Sequence, residues 1–233
     1  MPFFYFDPMY MLAIAPAVML AMWAQWRVKS SFAAASHEPA PLTGAAAARH
    51  ILDSAGATDV EIESVPGQLT DHYDPQTKVL RLSENVYGSR SLAAVGIAAH
   101  EAGHALQDHQ GYSMMTIRNA AVGVANFGSG FGLIVFMIGL AMALKPVAWL
   151  GIALFGATVF FQLVNLPVEI DASNRAKAQL VSLGIVPTGS MGSVNSVLNA
   201  AAWTYVAGTL QSVLTLLYSA SYLTGGSSSD SDQ

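Results

Sequence analysis

The chain contains no cysteine and carries little charge: 11% of its 233 residues are Asp, Glu, Lys or Arg, against about 25% in typical soluble domains. Without cysteine there is no disulfide framework, thiolate metal site or cysteine nucleophile, so a metal must be bound by His, Asp or Glu. The 15 acidic residues outnumber the 10 basic ones, and the net charge of −5 offers no basic surface to a phosphate backbone. We therefore expect no nucleic-acid partner.

Long apolar stretches are abundant instead, since 53% of the residues are hydrophobic and the mean hydropathy is +0.43. Most charged residues lie within 27–118, and the uncharged stretches outside that block span residues 8–26, 119–144, 146–168 and 178–229. A helix that crosses the hydrocarbon core needs about 20 apolar residues. The sequence therefore predicts four transmembrane helices, of which the last, over residues 200–223, is the least apolar because it contains Thr204, Thr209, Gln211 and Ser212.

The basic residues predict how the chain is oriented in the membrane. A signal peptide is the competing interpretation of the first apolar stretch, but Arg27 and Lys29 follow that stretch and no basic residue precedes it. The positive-inside rule then places the N-terminus outside and Arg27 inside. We expect a multi-pass protein of the cell (inner) membrane whose block 30–118 faces the cytoplasm.

That block has the pattern of a small α/β unit. Thr43 is a typical N-cap for a helix over residues 44–54, and Gly56 is typical of the position just past a helix end. Residues 60–65 and 78–83 alternate apolar and polar side chains, which predicts two half-buried strands, with a turn over 71–74 closed by Pro75. Residues 91 to about 109 are mostly small and apolar and predict a further helix.

The last of these helices contains the motif His100-Glu101-Ala102-Gly103-His104. Histidines four residues apart share one helix face and can both bind a single Zn²⁺. Glu101 lies about 100° further around the helix, where it can reach a metal-bound water as a general base without being a ligand. If the motif arose by chance, an unpaired His-Glu-His set would be costly to bury in an apolar helix. We therefore predict a zinc site.

A catalytic zinc site with two histidines needs a third protein ligand. The metzincin pattern is excluded, because Gln107 and Gln110 occupy its glycine and histidine positions and His109 falls one residue short. Beyond Arg118 the acidic residues before the tail are Glu169 and Asp171, at the inner end of the third span, where a carboxylate is costly unless it faces protein, water or a metal. We predict Glu169 as the third ligand; the alternative is an interfacial anchor at a helix end.

Several separate motifs, in one order along nearly the whole chain, give a family resemblance. They are DPMY at 7–10, LTDHYDP at 69–75, RLSE at 81–84, AAHEAGHALQD at 98–108, LPVEIDAS at 166–173 and TYVA at 204–207. With these motifs the chain resembles the neutral zinc metallopeptidase family of bacterial membrane proteins typified by YugP. The resemblance implies an integral-membrane zinc protease.

The segment around Glu169 is also similar to the glutamate-ligand segment of membrane proteases of the HtpX and CAAX-protease type. In that pattern acids follow two and four residues after the ligand, and Asp171 matches the first of them. Position 173 departs from the pattern, because it is Ser173. The resemblance implies that a carboxylate supports a zinc-bound histidine, so either Asp171 has that role or another group such as Asp108 has it.

Three further residues are candidates for oxyanion or substrate contacts. His72 is one, although it also fits a turn built by Asp and Pro. Arg175 is another, with a positive-inside anchor beside Lys177 as the alternative, and Tyr205 could equally be an interfacial aromatic residue. The strand over 78–83 could bind an extended peptide by strand addition if it is an edge strand, or it could be an interior strand.

Together these features predict an α-rich integral membrane protein with about four transmembrane helices and a small α/β zincin-like catalytic unit. The predicted parts are an N-terminal transmembrane helix (1–29), a cytosolic catalytic unit (30–118), a transmembrane hairpin (119–168), a third-ligand segment and linker (169–199), a C-terminal transmembrane helix (200–224) and a disordered tail (225–233).

The predicted function is a zinc metalloendopeptidase of the gluzincin kind, which hydrolyses peptide bonds with a zinc-activated water and Glu101 as the general base. We expect a peptide or membrane-protein substrate and contact with membrane lipid. A protease that cuts within the bilayer would need His100 and His104 inside a spanning helix, but the uncharged run before His100 starts only at residue 91. The other alternative is a non-catalytic membrane adaptor that keeps zinc for structure.

Overall fold

The computed structural model describes residues 7–225, most of which are helical. In chain order the elements are α1 (Pro8–Ser36), α2 (Gly44–Ser54), β1 (Glu61–Val65), β2 (His72–Asp74), β3 (Val79–Ser83), α3 (Glu84–Tyr87), α4 (Leu92–His109), α5 (Ser113–Ala141), α6 (Lys145–Ser182), a 3₁₀ turn (Thr188–Ser190) and α7 (Met191–Gly225). The predicted disordered tail, apart from Gly225 at the end of α7, lies outside the described residues.

Within the described residues, four helices are long and apolar enough to cross a membrane, and this confirms the predicted number of spans. They are α1, α5, α6 and the segment Thr188–Gly225, which consists of the 3₁₀ turn and α7. Large apolar side chains are exposed along them, among them Met19, Phe131, Leu150, Phe160 and Leu217. Exposed apolar surface of this extent is unusual for a protein in water and is the expected surface of a helix in lipid.

The described chain divides into two compact units. One, here called the apolar unit, contains residues 7–22, 117–166 and 205–225, and the other, here called the site unit, contains residues 23–116 and 167–204. Each of the four long helices contributes residues to both units. In α6 the boundary falls at Pro167, a residue that interrupts the backbone hydrogen bonds of a helix interior.

Glycines let α5 and α6 pack closely in the apolar unit. A Cβ atom added at Gly132 would lie 2.7 Å from the backbone nitrogen of Phe155, and one at Gly139 would lie 2.3 Å from that of Ala148. Backbone atoms cannot move away without displacing the helix. Small residues at such contacts are characteristic of helix pairs in membranes, where close approach gives the van der Waals contact that holds the pair together.

In the site unit, α2 begins and ends as the sequence predicts. The hydroxyl of Thr43 accepts a hydrogen bond from the backbone N–H of Ala46 at 3.2 Å, which satisfies one of the free donors of the first turn. The helix ends at Ser54, and Gly56 has a left-handed φ of 78° just beyond it.

The sheet has the order β1-β3-β2, with β1 parallel and β2 antiparallel to the central strand β3. The two predicted strands are confirmed as β1 and β3, but the predicted turn over 71–74 is wrong, because His72–Asp74 pairs with β3 as strand β2. Its middle residue, Tyr73, is buried, so contacts distant in sequence favour the extended backbone there. Since β3 has a neighbour on each side, it is the interior strand and has no free edge for an added peptide.

The true turn follows β2. The Asp74 carboxylate accepts hydrogen bonds from Thr77, Arg81 and the backbone of Gln76, and these donors lower the pKa of Asp74 to about 2. Lys78 has a left-handed φ of 54° immediately before β3. The apparent Asp-Pro turn signal therefore belongs to the hairpin between β2 and β3.

The core of the site unit is formed by α2, α4, the sheet and the segments of α6 and α7 that belong to this unit. Its most buried large side chains are Ile51, Leu52, Leu80, Leu82, Leu92, Val95, Leu106, Leu180 and Val194. Most residues of α4 are buried, and this helix carries the motif with the two histidines. The motif is therefore held in the interior of the unit, where packing limits its movement.

Candidate metal centre

Two histidines on one face of α4 form the first half of the site. The helix begins after Ser91, whose hydroxyl accepts a hydrogen bond from the backbone N–H of Ala94 at 3.2 Å. His100 and His104 are one turn apart, with their ring centroids separated by 4.8 Å. His104 is buried and His100 partly buried, so both rings are shielded from bulk water.

Glu169 of α6 supplies the second half. Its Oε2 lies 3.2 Å from Nε2 of His100 and 3.5 Å from Nε2 of His104. All three ligating atoms lie within 4.8 Å of one another. The structure thus brings together the three residues that were predicted as metal ligands.

The charge of this cluster calls for a cation. Glu169 is 3% exposed, and within residues 7–225 no Lys or Arg forms an ion pair with it. A buried carboxylate without a positive partner is strongly unfavourable. Burial lowers the pKa of His104, whereas the carboxylates of Glu169 and Glu101 raise it, and the net shift is upward. A bound cation would relieve the same deficit of positive charge.

The donor set fits zinc. Two imidazoles and one carboxylate are a known three-ligand set for a catalytic Zn²⁺. Ligand bonds of about 2.0–2.1 Å in a tetrahedron imply ligand-to-ligand distances of about 3.3–3.4 Å. The two histidine-to-glutamate distances, 3.2 and 3.5 Å, bracket that value. The three residues could therefore hold zinc.

Each histidine also has a partner for its other ring nitrogen. Nδ1 of His100 lies 3.1 Å from the Ser173 hydroxyl, one turn after Glu169 on α6. Nδ1 of His104 lies 3.0 Å from Oε1 of Gln107. Such hydrogen bonds fix the orientation of metal-binding imidazoles. Neither partner was predicted, although both stand three or four residues from a predicted ligand and so on the same helix face.

Gly103 allows α4 and α6 to approach at the cluster. A Cβ added at Gly103 would lie 2.6 Å from the backbone oxygen of Ala172, closer than side-chain carbons normally come. Glu169 precedes Ala172 by less than one turn of α6. The glycine within the motif thus keeps the helix that carries the carboxylate near the helix that carries the histidines.

Asp171 and Arg175 lie beside the cluster and do not touch its histidines. The Asp171 carboxylate accepts hydrogen bonds from Gln107 Nε2 at 2.8 Å and from Arg175 Nε at 2.5 Å. Arg175 also donates to the Gln110 side chain, and its guanidinium lies 5.6 Å from the ring centroid of Tyr112. These contacts tie α6 to the end of α4, and Asp171 is connected to His104 by hydrogen bonds through Gln107.

Asp108 has a different partner. Its carboxylate accepts a 2.8 Å hydrogen bond from the hydroxyl of Tyr73, which joins β2 to α4. Burial and the neighbouring Asp108 raise the pKa of Tyr73, so the hydroxyl remains a donor. The contact therefore anchors the edge of the sheet to the helix that carries the histidines.

The remaining candidates are placed apart from these contacts. His72 is exposed on β2, with Nδ1 2.7 Å from the backbone oxygen of Thr70, and no hydrogen bond among the described residues links it to the cluster. Tyr205 belongs to the apolar unit, whereas the cluster belongs to the site unit. Glu101 follows His100 on α4 and is partly exposed, and its carboxylate forms no hydrogen bond or ion pair within residues 7–225.

Comparison with known proteins agrees with this geometry. The chain is 48% identical over 203 residues to a protein of Bacillus subtilis (strain 168) named "Putative membrane protease YugP", an alignment that covers 86% of this chain and 90% of that protein. No solved structure matches the chain significantly. Residues 10–224 match the family described as "Putative neutral zinc metallopeptidase". Matched over nearly its whole length, and with a His-His-Glu cluster that could hold a metal, the chain belongs to this neutral zinc metallopeptidase family.

Proposed function

We propose that the chain is a membrane-bound zinc metalloendopeptidase of the gluzincin kind, with His100, His104 and Glu169 as the zinc ligands. The observation that carries this proposal is the convergence of two imidazoles on the buried carboxylate of Glu169. Within the described residues this carboxylate has no Lys or Arg partner. The family membership and the relative named as a membrane protease support it. A zincin-like unit is further supported by the packing of α4 against a small mixed sheet.

Glu101 is the proposed general base. A bound zinc ion supplies Lewis acidity toward water and the scissile carbonyl. The Glu101 carboxylate is adjacent to His100, partly exposed and free of hydrogen bonds or ion pairs within residues 7–225. It can therefore accept a proton from the attacking water and donate it to the leaving amine nitrogen.

We further propose that the site unit faces the cytoplasm of a cell whose inner membrane the four helices cross. Arg27 and Lys29 at the end of the first apolar stretch, and Arg175 and Lys177 beyond the third, support this orientation. Two spans separate the histidines from Glu169, so both parts of the cluster lie on the same side of the membrane. The proposed substrate is a peptide or a membrane protein, and membrane lipid surrounds the apolar helices.

A non-catalytic adaptor that keeps zinc for structure is the second candidate. Structural zinc sites usually have four protein ligands, whereas catalytic sites have three and leave one position open. Within residues 7–225 the cluster contains three ligating side chains. That ligand number favours the peptidase.

The experiment that separates these functions is Glu101→Gln, with Glu84→Gln in the same unit as its control, since Glu84 is exposed and outside the cluster. Zinc content and hydrolysis of unfolded casein are measured on purified protein in detergent. We expect Glu101→Gln to keep its zinc and to lose about 10²- to 10⁴-fold in rate, the usual value of a general base. A variant that keeps zinc and cleaves at the wild-type rate would refute the proposed mechanism.

A further inference from the structure

Gln107 is an uncharged polar residue in the deepest part of the site unit. It is 0% exposed and lies one turn after His104 on α4. Its Oε1 is 3.0 Å from Nδ1 of His104, and its Nε2 is 2.8 Å from both the Val168 backbone oxygen and Oδ2 of Asp171. Both N–H groups and the oxygen of this buried amide are thereby directed at specific neighbours.

The orientation of the Gln107 amide follows from chemistry. A backbone carbonyl oxygen can only accept hydrogen bonds, so the group that faces Val168 must be the NH₂ of Gln107. The Asp171 oxygen on the same side also accepts, since it receives the Arg175 Nε–H at 2.5 Å. The amide oxygen must then face His104, and a carbonyl oxygen opposite Nδ1 requires a proton on Nδ1.

This proton determines which nitrogen of His104 is free to bind a metal. When Nδ1 of a neutral imidazole carries the proton, the lone pair is on Nε2. Nε2 is the atom that lies 3.5 Å from Oε2 of Glu169. For His100 the partner is the Ser173 hydroxyl, which can either donate or accept, so it does not impose one tautomer.

We propose that Gln107 is a positioning residue for the metal centre, which holds His104 in the tautomer that directs the Nε2 lone pair toward Glu169. Its second function is to bind Val168, the residue before Glu169, and so to hold the carboxylate of α6 at the histidines of α4. The Asp171–Arg175 pair acts through the same amide, because it fixes the side on which the NH₂ lies. This inference rests on the proposed zinc site and adds to it a residue that never touches the metal.

The first test compares Gln107→Leu with Gln179→Leu. Leucine is close to glutamine in size and suits a buried position. Gln179 is a partly exposed residue of α6 whose side chain forms no hydrogen bond within residues 7–225, so it has no part in the contacts around the histidines. Zinc affinity is measured by chelator competition on the full-length protein in detergent. We expect Gln107→Leu to bind zinc about 10- to 100-fold more weakly, as is typical for the loss of a group that orients a ligand. We expect Gln179→Leu to bind as the wild type does.

The outcomes distinguish this inference from the proposed function. If wild-type protein binds no zinc, the proposed function fails. If wild type binds zinc and Gln107→Leu binds it with equal affinity, the peptidase proposal stands and the role of Gln107 is overturned.

A second measurement does not depend on whether Gln107→Leu folds. In zinc-loaded wild-type protein labelled with ¹⁵N-histidine, the Nδ1 proton of His104 should give a resonance that exchanges slowly with water, assigned by its loss in His104→Ala. In folded Gln107→Leu that resonance should move, or disappear because the proton exchanges faster with water. A general loss of stability would instead affect the ring protons of other histidines as well. A wild-type His104 without a proton on Nδ1 would overturn the proposal.

Discussion

Glu169 is the residue whose surroundings say most about the chemistry. Its carboxylate is buried among apolar helices, and its contacts among the described residues are two imidazole nitrogens. A carboxylate at an interfacial helix end would be solvated, so burial argues against the anchor that the sequence left open. A cation held by these three side chains would balance the buried negative charge.

The first prediction concerns the three proposed ligands. His100→Ala or Glu169→Gln should weaken zinc binding by more than about 100-fold, since the loss of a direct ligand exceeds the 10- to 100-fold cost of losing a supporting group. Metal analysis and chelator competition measure this effect. His109→Ala is the matched control, because His109 is exposed at the end of the same helix and outside the cluster. Stoichiometric zinc in His100→Ala would place the site elsewhere.

The second prediction concerns the Tyr73–Asp108 hydrogen bond. Tyr73→Phe should lower the free energy of unfolding by about 1–3 kcal/mol, because the bond involves a carboxylate and is partly buried. Thermal unfolding in detergent measures this loss of stability. Tyr87→Phe is the control, because Tyr87 is more exposed and its hydroxyl has no hydrogen bond within residues 7–225.

The difference in unfolding free energy between wild type and Tyr73→Phe should change with pH in one direction. The pKa of Tyr73 is raised in the folded protein above its ordinary value of 10.0, by burial and by Asp108. The stabilisation is therefore fully present below pH 10 and declines as the pH rises above it. A difference between wild type and Tyr73→Phe that grew above pH 10 would contradict this assignment.

At the level of elements, the approach of α6 to α4 assembles the site, and Gly103 allows that approach. The third prediction is that Gly103→Ala keeps α4 helical but displaces α6, because the added methyl group would meet the Ala172 carbonyl at 2.6 Å. We expect zinc affinity to fall at least tenfold, since Glu169 moves with α6.

Gly156→Ala on α6 is the control for this substitution, because a Cβ there meets no atom within 4 Å. Alanine in an open helix position is favoured over glycine by about 0.5–1 kcal/mol, so this variant should be at least as stable as the wild type. Equal zinc affinity in Gly103→Ala and Gly156→Ala would show that the close contact at Gly103 has no bearing on the metal site.

At the level of the whole molecule, the orientation of the chain in the membrane can be measured with single introduced cysteines, because the chain has no native cysteine. The fourth prediction is that single cysteines at Ser36 or Ser64 resist a membrane-impermeant thiol reagent in intact cells, whereas one at Ser228 reacts. Ser64 is exposed on β1, so a lack of labelling there would reflect the membrane and not burial. Permeabilised cells provide the control, in which the cysteine at Ser64 should react. Labelling of Ser64 but not of Ser228 in intact cells would place the site unit outside.

The sequence by itself determined the features that depend on neighbouring residues or on composition. The four apolar helices follow from uncharged stretches of sufficient length, the bounds of α2 follow from Thr43 and Gly56, and the pairing of His100 with His104 follows from helix periodicity. Glu169 could be singled out because a carboxylate is costly next to an apolar span.

Only the tertiary structure decided the features that depend on contacts between distant segments. β2 is a strand because β3 offers backbone partners and the core buries Tyr73, although its Asp and Pro residues resemble a turn. Ser173 became visible as the partner of His100 only when α4 and α6 were brought together. The same approach placed the Val168 carbonyl beside the Gln107 amide and so decided which end of that amide faces His104. These hydrogen bonds between helices join residues more than sixty positions apart. A local sequence pattern does not show which polar side chain of one helix will contact an imidazole of the other.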